Sequence, residues 1–312
     1  MILGCFTNEH MFVASNNSLW VINSGNKKLY QSKIGTCIEN EFDGSGIKLM
    51  VGRESPIILT NGGNIYATIG EEHSQVIKID IENVDTIGII GDRCALIISD
   101  KLYISERIND MHENILKNLK ELPVHSKIKK ISFCSMYMSV LAESGLYVYG
   151  NYDFTFYDYL QNTHFEKYDR VIDMKCDPFY LALIVKDHDD KIEIYCSDPC
   201  NSFSFKIFEY NFSMINCKFI HPLRDPYILS YMYEKTYICA LVWFNGTLKL
   251  ADEYDGEIID CVYFDEQMYY VKKDIILREI YYPKNRLEVD DFLTEILRSE
   301  KIRKMKNARL II

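Results

Sequence analysis

Three carboxylates and an imidazole crowd one stretch, Asp187-His188-Asp189-Asp190. Such groups can ligate calcium or zinc. The stretch lacks the spacing of a calcium loop, however. It falls between two apolar runs, Tyr180 to Val185 and Ile192 to Ile194, so it reads as a solvated hairpin tip. Cys196 and Cys200 are the one close cysteine pair, with no second pair at zinc spacing. His10, His73, His112, His125, His164, His188 and His221 are scattered. The phosphate-cradling Gly-rich loop with Lys, the Gly-x-Ser-x-Gly elbow, His-Glu-x-x-His and the dinucleotide fingerprint are all missing. The reading is a non-enzyme, with no catalytic, metal-binding or cofactor-binding residue and no cofactor.

The chemistry that remains is binding chemistry. From Arg298 to Arg309 the chain carries Arg298, Lys301, Arg303, Lys304, Lys306 and Arg309 against one acid, Glu300. This segment suits an acidic partner, or cations gathered at a helix C-terminus. The stretch Tyr152 to Tyr168 holds seven aromatics, of the kind that anchor interfaces or pack one strand layer on the next. Net charge is −10, which disfavours general nucleic-acid binding. No apolar run reaches the roughly 20 residues of a membrane helix, so no membrane insertion is expected. Met1 to Glu9 lacks the basic start and apolar core of a signal peptide. The ten cysteines therefore read as reduced thiols of a cytoplasmic or nuclear protein.

The elements that position these residues come from a repeat. Tyr and Phe total 39, and Val, Ile and Thr are plentiful, which favours strands. An apolar strand, a short turn, a second apolar strand, a tight hairpin and a third strand recur along the chain. The clearest copies turn at Asn61-Gly62-Gly63-Asn64, Ser99-Asp100 and Glu143-Ser144-Gly145. Equivalent third-strand positions are Trp20, Tyr66, Tyr103, Tyr147, Glu193, Tyr237 and Ile276, spaced by 37 to 46 residues. Seven units of this length predict an all-β, seven-bladed β-propeller over residues 1–284. Residues 285–312 are predicted to form a C-terminal α-helix, on the periodicity of Val289, Phe292, Leu293, Ile296 and Leu297, and a closing strand at Leu310 to Ile312. That last strand is expected to pair in one blade with Met1 to Phe6. A second helix is predicted over Asp110 to Leu122.

Ser139 to Asn151, reading Ser-Val-Leu-Ala-Glu-Ser-Gly-Leu-Tyr-Val-Tyr-Gly-Asn, resembles the second half of the repeat of the regulator-of-chromosome-condensation family. Thr60 to Tyr66 with Gly70 resembles another copy. Gly52 and Gly91 stand where that repeat has its first glycine, and His10 where it has its histidine. Cys134 and Cys176 replace the glycine in two copies, and Ser55, Cys94, Tyr137 and Phe179 replace the histidine. The resemblance implies a seven-bladed propeller and, among its members, exchange factors for small GTPases, scaffolds and substrate-binding modules.

The turn that replaces the Gly-x-x-His step is expected to present two residues per blade on one face. Its charged members are Glu9, Arg53, Glu54, Asp92, Arg93, Asp177, Arg224, Asp225, Asp265 and Glu266, a set of seven acids and three arginines. Such a face suits a basic protein surface. The expected function is protein–protein interaction, as a scaffold or subunit of a larger assembly. The alternatives are guanine-nucleotide exchange on a Ran-like or Rab-like small GTPase and chromatin association. The expected partners are one or more proteins, a small GTPase among the candidates.

Overall fold

A computed structural model describes residues 2–5, 10–15, 18–23, 36–39, 42–52, 55–69, 75–106, 118–152, 155–156, 159–177, 180–189, 191–198, 203–210, 215–222, 227–233, 236–242, 248–254, 257–264, 267–272, 275–280 and 286–287. Nearly all of them are strand. The predicted C-terminal helix and the strand at 310–312 lie outside these residues.

The strands form seven antiparallel sheets in chain order. Sheet 1 is Ile2–Cys5, His10–Ser15, Ser18–Asn23 and Thr36–Glu39. Sheet 2 is Ile47–Gly52, Pro56–Thr60, Ile65–Ile69 and Gln75–Ile79. Sheet 3 is Val84–Ile90, Arg93–Ile98, Lys101–Ile104 and Lys120–Leu122. Sheet 4 is Ile128–Phe133, Tyr137–Ala142, Gly145–Tyr152 and Thr155–Phe156, with Gln161–Asn162 also on its third strand. Sheet 5 is Val171–Cys176, Leu181–Lys186, Ile192–Asp198 and Phe203–Tyr210. Sheet 6 is Ile215–Pro222, Tyr227–Tyr233, Thr236–Val242 and Leu248–Tyr254. Sheet 7 is Ile258–Phe264, Gln267–Lys272, Ile275–Ile280 and Arg286–Leu287. All seven third-strand positions anticipated from the repeat lie in third strands.

One expectation is corrected in part, since residues 110–117 of the predicted second helix lie outside the described residues. Lys120–Leu122 is not helical: it is the fourth strand of sheet 3, pairing Leu122 with Leu102. Burying Leu122 at the sheet edge outweighs the helical spacing of that segment. Ile2–Cys5 is the first strand of sheet 1, pairing with His10–Ser15; its expected partner, Leu310 to Ile312, lies outside the described residues.

The chain divides into two compact units, Met1–Val84 with Gly256–Ile312, and Asp85–Asp255. In the first, the opening strand of sheet 1 lies against those of sheets 2 and 7. In the second, the opening strands of sheets 4, 5 and 6 lie in succession. Cores form between neighbouring sheets. Phe12 and Leu19 of sheet 1 meet Ile47, Met50, Ile58 and Tyr66 of sheet 2. Ala95, Ile97 and Leu102 of sheet 3 meet Met138, Val140 and Tyr149 of sheet 4. Leu141 and Val148 of sheet 4 meet Met174, Leu181, Leu183 and Tyr195 of sheet 5. The second strands of sheets 2, 4 and 5 are buried on both faces, which is why they read as unbroken apolar runs such as Leu181 to Val185. Gly88 allows a further close contact, since a Cβ there would lie 2.2 Å from the Phe133 ring of the next sheet.

Candidate functional site

The opening strands carry a recurring irregularity. In sheets 2, 4, 5 and 7 the register slips between Ile47 and Leu49, Ile128 and Lys130, Val171 and Asp173, and Ile258 and Asp260. A bulge leaves one residue outside the ladder and turns it away from the pairing strand. The extra residues are Lys48, Lys129, Ile172 and Ile259, and all four are exposed. Ile172 is 42% and Ile259 48% exposed, which makes them two of the exposed large apolar side chains among the described residues.

Behind the bulge of sheet 5 lies Asp173, only 3% exposed. One carboxylate oxygen accepts the Met174 amide at 2.8 Å. The other accepts the Phe219 amide of sheet 6 at 2.6 Å. Lys130 of sheet 4 forms an ion pair with the same carboxylate. One side chain thus ties the opening strands of three sheets together. Farther along, the Ser132 hydroxyl accepts the Cys176 amide at 2.9 Å, which fixes sheet 4 against sheet 5 in matching register.

The bulge end is also stapled to the hairpins between second and third strands. The Asn61 amide donates to the Gly46 carbonyl at 2.8 Å, and the Glu143 amide to the Lys127 carbonyl at 3.0 Å. The hydroxyls of Ser45 and Ser126 accept the amides of Gly62 and Ser144 at 2.7 and 3.0 Å. In sheet 2 the Asp43 carboxylate joins this staple, accepting from the Ser45 amide and from the side chains of Ser45, Thr60 and Asn64. Its partial burial raises its pKa, but the four hydrogen bonds win and hold it well below the usual carboxylate range.

At the opposite end are the turns between first and second strands. Asp92 and Arg93 are half-buried, and Arg93 Nη1 donates to the Tyr149 hydroxyl of sheet 4 at 3.4 Å. Asp177 is 2% exposed, in contrast to the expected solvent-facing pair. Its carboxylate accepts the Tyr180 amide at 2.8 Å and closes the turn from inside. Glu9, Arg53, Glu54, Arg224, Asp225, Asp265, Glu266 and the basic residues Arg298, Lys301, Arg303, Lys304, Lys306 and Arg309 lie outside the described residues. Cys134 falls one residue later than its expected glycine position. Phe133 pairs with Met138 as Cys176 pairs with Leu181, so Cys134 is the counterpart of Asp177.

The thiols here are poor nucleophiles. Burial pushes Cys176 up to about 11 and raises Cys94 and Cys134 as well. The Asp187 carboxylate accepts the amides of Asp189 and Lys191 at 2.9 and 2.8 Å, so this acid serves its own hairpin. Among the described residues no three His, Cys, Asp or Glu side chains gather as a metal site. Nor is any helix there long and apolar enough to cross a membrane. In the aromatic stretch Phe165 is buried edge-on against Tyr195 at 5.5 Å, whereas Tyr159 is exposed. Lys167 bridges the Glu193 carboxylate at 2.7 Å and the Tyr195 hydroxyl at 2.5 Å, and both partners raise its pKa.

Seven consecutive meanders, with the opening strands of sheets 7, 1 and 2 adjacent in one unit and those of sheets 4, 5 and 6 adjacent in the other, define a β-propeller, here of seven blades. No family model matches the chain, and no curated protein matches it. Solved structures do. The chain is similar to YCF48 bound to D1 peptide, with a TM-score of 0.60 and 12% identity over 90% of this chain and 92% of that one. YCF48 from Cyanidioschyzon merolae gives 0.56 at 8% identity, over 90% and 93%. A chain of the complex of Kap60 bound to yeast RCC1 (Prp20) gives 0.52 at 10% identity, over 80% and 74%. At these identities the likeness is one of fold, and it meets the resemblance to the chromosome-condensation-regulator propeller read from the repeats.

Proposed function

We propose that the chain is a protein-interaction propeller, acting as a scaffold or subunit of a larger assembly. The observation that carries the reading is the likeness, along 90% of the chain, to a propeller described as bound to a peptide. The local physics supports it. Asp173 and the serine staples hold the opening strands rigid, while the bulges leave Lys129 and Ile172 free to meet a partner. A rigid surface loses little entropy on binding. Size-exclusion chromatography of native lysate tests this. The protein is expected in a fraction well above its own 36.6 kDa, and elution as a lone chain would count against a stable assembly.

A second reading, guanine-nucleotide exchange on a Ran-like or Rab-like GTPase, is favoured by the likeness to a chain of the complex containing yeast RCC1 (Prp20). It predicts that the purified protein speeds release of labelled GDP from such a GTPase. An unchanged release rate would set this reading aside. Chromatin association, the third reading, rests on the basic residues between 298 and 309 and predicts binding that falls steeply with salt.

A further inference from the structure

We propose that the bulge end of sheets 4 and 5 binds an acidic segment of a partner protein that carries an apolar side chain. This rests on the reading of the chain as an interaction propeller and gives that reading a place and a chemistry. Lys127 and Arg170 each immediately precede the opening strand of their sheet. Lys129 and Ile172 are the bulged residues of the same two strands. Lys130 and Asp173 follow them and pair with each other. The pairing shows that the two strands run in matching register, so Lys129 and Ile172 hold equivalent, neighbouring places.

The charge balance of this patch is opposite to that of the chain. From 127 to 133 and from 170 to 176 the basic residues are Lys127, Lys129, Lys130, Arg170 and Lys175, and the one acid is Asp173. Asp173 is buried and paired with Lys130, so those two charges cancel and the excess rests on Lys127, Lys129, Arg170 and Lys175. The exposed acids beside the patch, Glu143 and Asp169, do not cancel the excess. Asp187 and Asp189 are engaged, the first by its own turn and the second by Lys191 at 3.6 Å. The corresponding places in sheets 2 and 7 are Gly46, Lys48 and Leu49, and Glu257, Ile259 and Asp260, which give no such excess. The positive patch is therefore local, with an exposed isoleucine beside its lysines.

A short acidic peptide matches this combination. Its carboxylates meet Lys127 and Lys129, and its apolar residue covers Ile172. A long polyanion such as nucleic acid would also meet the field of a chain with net charge −10, whereas a short segment feels mainly charges within a Debye length of about 8 Å.

The test is fluorescence anisotropy with full-length protein and a labelled peptide of Glu, Asp and Leu. The controls are a Lys/Leu peptide of the same length and a single-stranded oligonucleotide. The acidic peptide is expected to bind, more weakly as salt rises. The double variant K127E/K129E is expected to lower affinity roughly tenfold or more, and I172S several-fold. K127A/K129A, milder toward folding, is expected to weaken binding in the same direction. K120E, on the outer strand of sheet 3, is expected to bind as wild type. The proposal is overturned by no binding of the acidic peptide, by equal binding of the Lys/Leu peptide, by tighter binding of the oligonucleotide, or by an unchanged double variant. Capture from lysate separates the two levels. If wild type and double variant retain the same partners, this surface is wrong and the interaction reading stands. If wild type retains none, the interaction reading falls with it.

Discussion

Replacing Asp173 by alanine removes the acceptor of two buried amides, those of Met174 and Phe219. A buried donor left without a partner costs about 1–3 kcal/mol. Lys130 also loses its partner, but its side chain is 40% exposed and can be rehydrated, so it adds little. The sum is about 2–6 kcal/mol. For 312 residues at about 2.1 cal/mol/K each, the entropy of melting is about 0.65 kcal/mol/K, so Tm should fall by about 3–9 °C. Asp173→Asn keeps one acceptor oxygen and should lose about half as much. Lys130→Met keeps both amide bonds, which go on stabilising the buried carboxylate, and should cost less than Asp173→Ala. Differential scanning fluorimetry of the three variants reads the order directly. A fall below about 1 °C for Asp173→Ala, or a larger fall for Lys130→Met than for Asp173→Ala, would refute the assignment of Asp173 as the tie between three strands.

Gly88→Ala should destabilise by about 2 kcal/mol, because its Cβ would strike the Phe133 ring, and Phe133→Leu in the same chain should recover part of the loss in a thermal melt. Asp43 has a depressed pKa, so its stabilising effect is complete at neutral pH and is lost as pH falls from about 4, the unfolded value, toward the folded one. Asp43→Asn should therefore be less stable than wild type at pH 7, with the gap closing in acid; a gap that widened in acid would contradict the staple. Cys94 and Cys176 should resist a thiol reagent at pH 8 in the native protein and react on unfolding, and rapid native labelling of either, located by mass spectrometry, would contradict their burial.

The seven-sheet order was readable because most third strands follow a tight hairpin and carry apolar residues at a nearly constant offset. Sheet 5 shows where offsets mislead. Its longer hairpin, closed by Asp187, moves the counterpart of Tyr66 and Tyr147 from Glu193 to Tyr195, as the pairing with Leu183 shows. The bulges were not readable. Lys48 and Lys129 are lysines but Ile172 and Ile259 are isoleucines, so no one residue type marks the position, and a bulge depends on pairing with another strand. Serine two residues before an opening strand, at Ser45 and Ser126, marks the staple in the sequence. Asp177 looked like a surface acid because a carboxylate that closes its own turn has the same local sequence as a solvated one. Asp173 was likewise invisible as a tie, since its partners lie 46 residues ahead at Phe219 and 43 behind at Lys130.

The central claim is that this propeller exists to hold a protein partner. Affinity capture of the tagged full chain from its own cell lysate, washed with and without GTP and read by mass spectrometry, tests it most directly. The account predicts a stoichiometric partner that is indifferent to GTP. Release of a small GTPase by GTP would contradict the scaffold reading in favour of exchange, and recovery of the chain with no partner at all would contradict the claim itself.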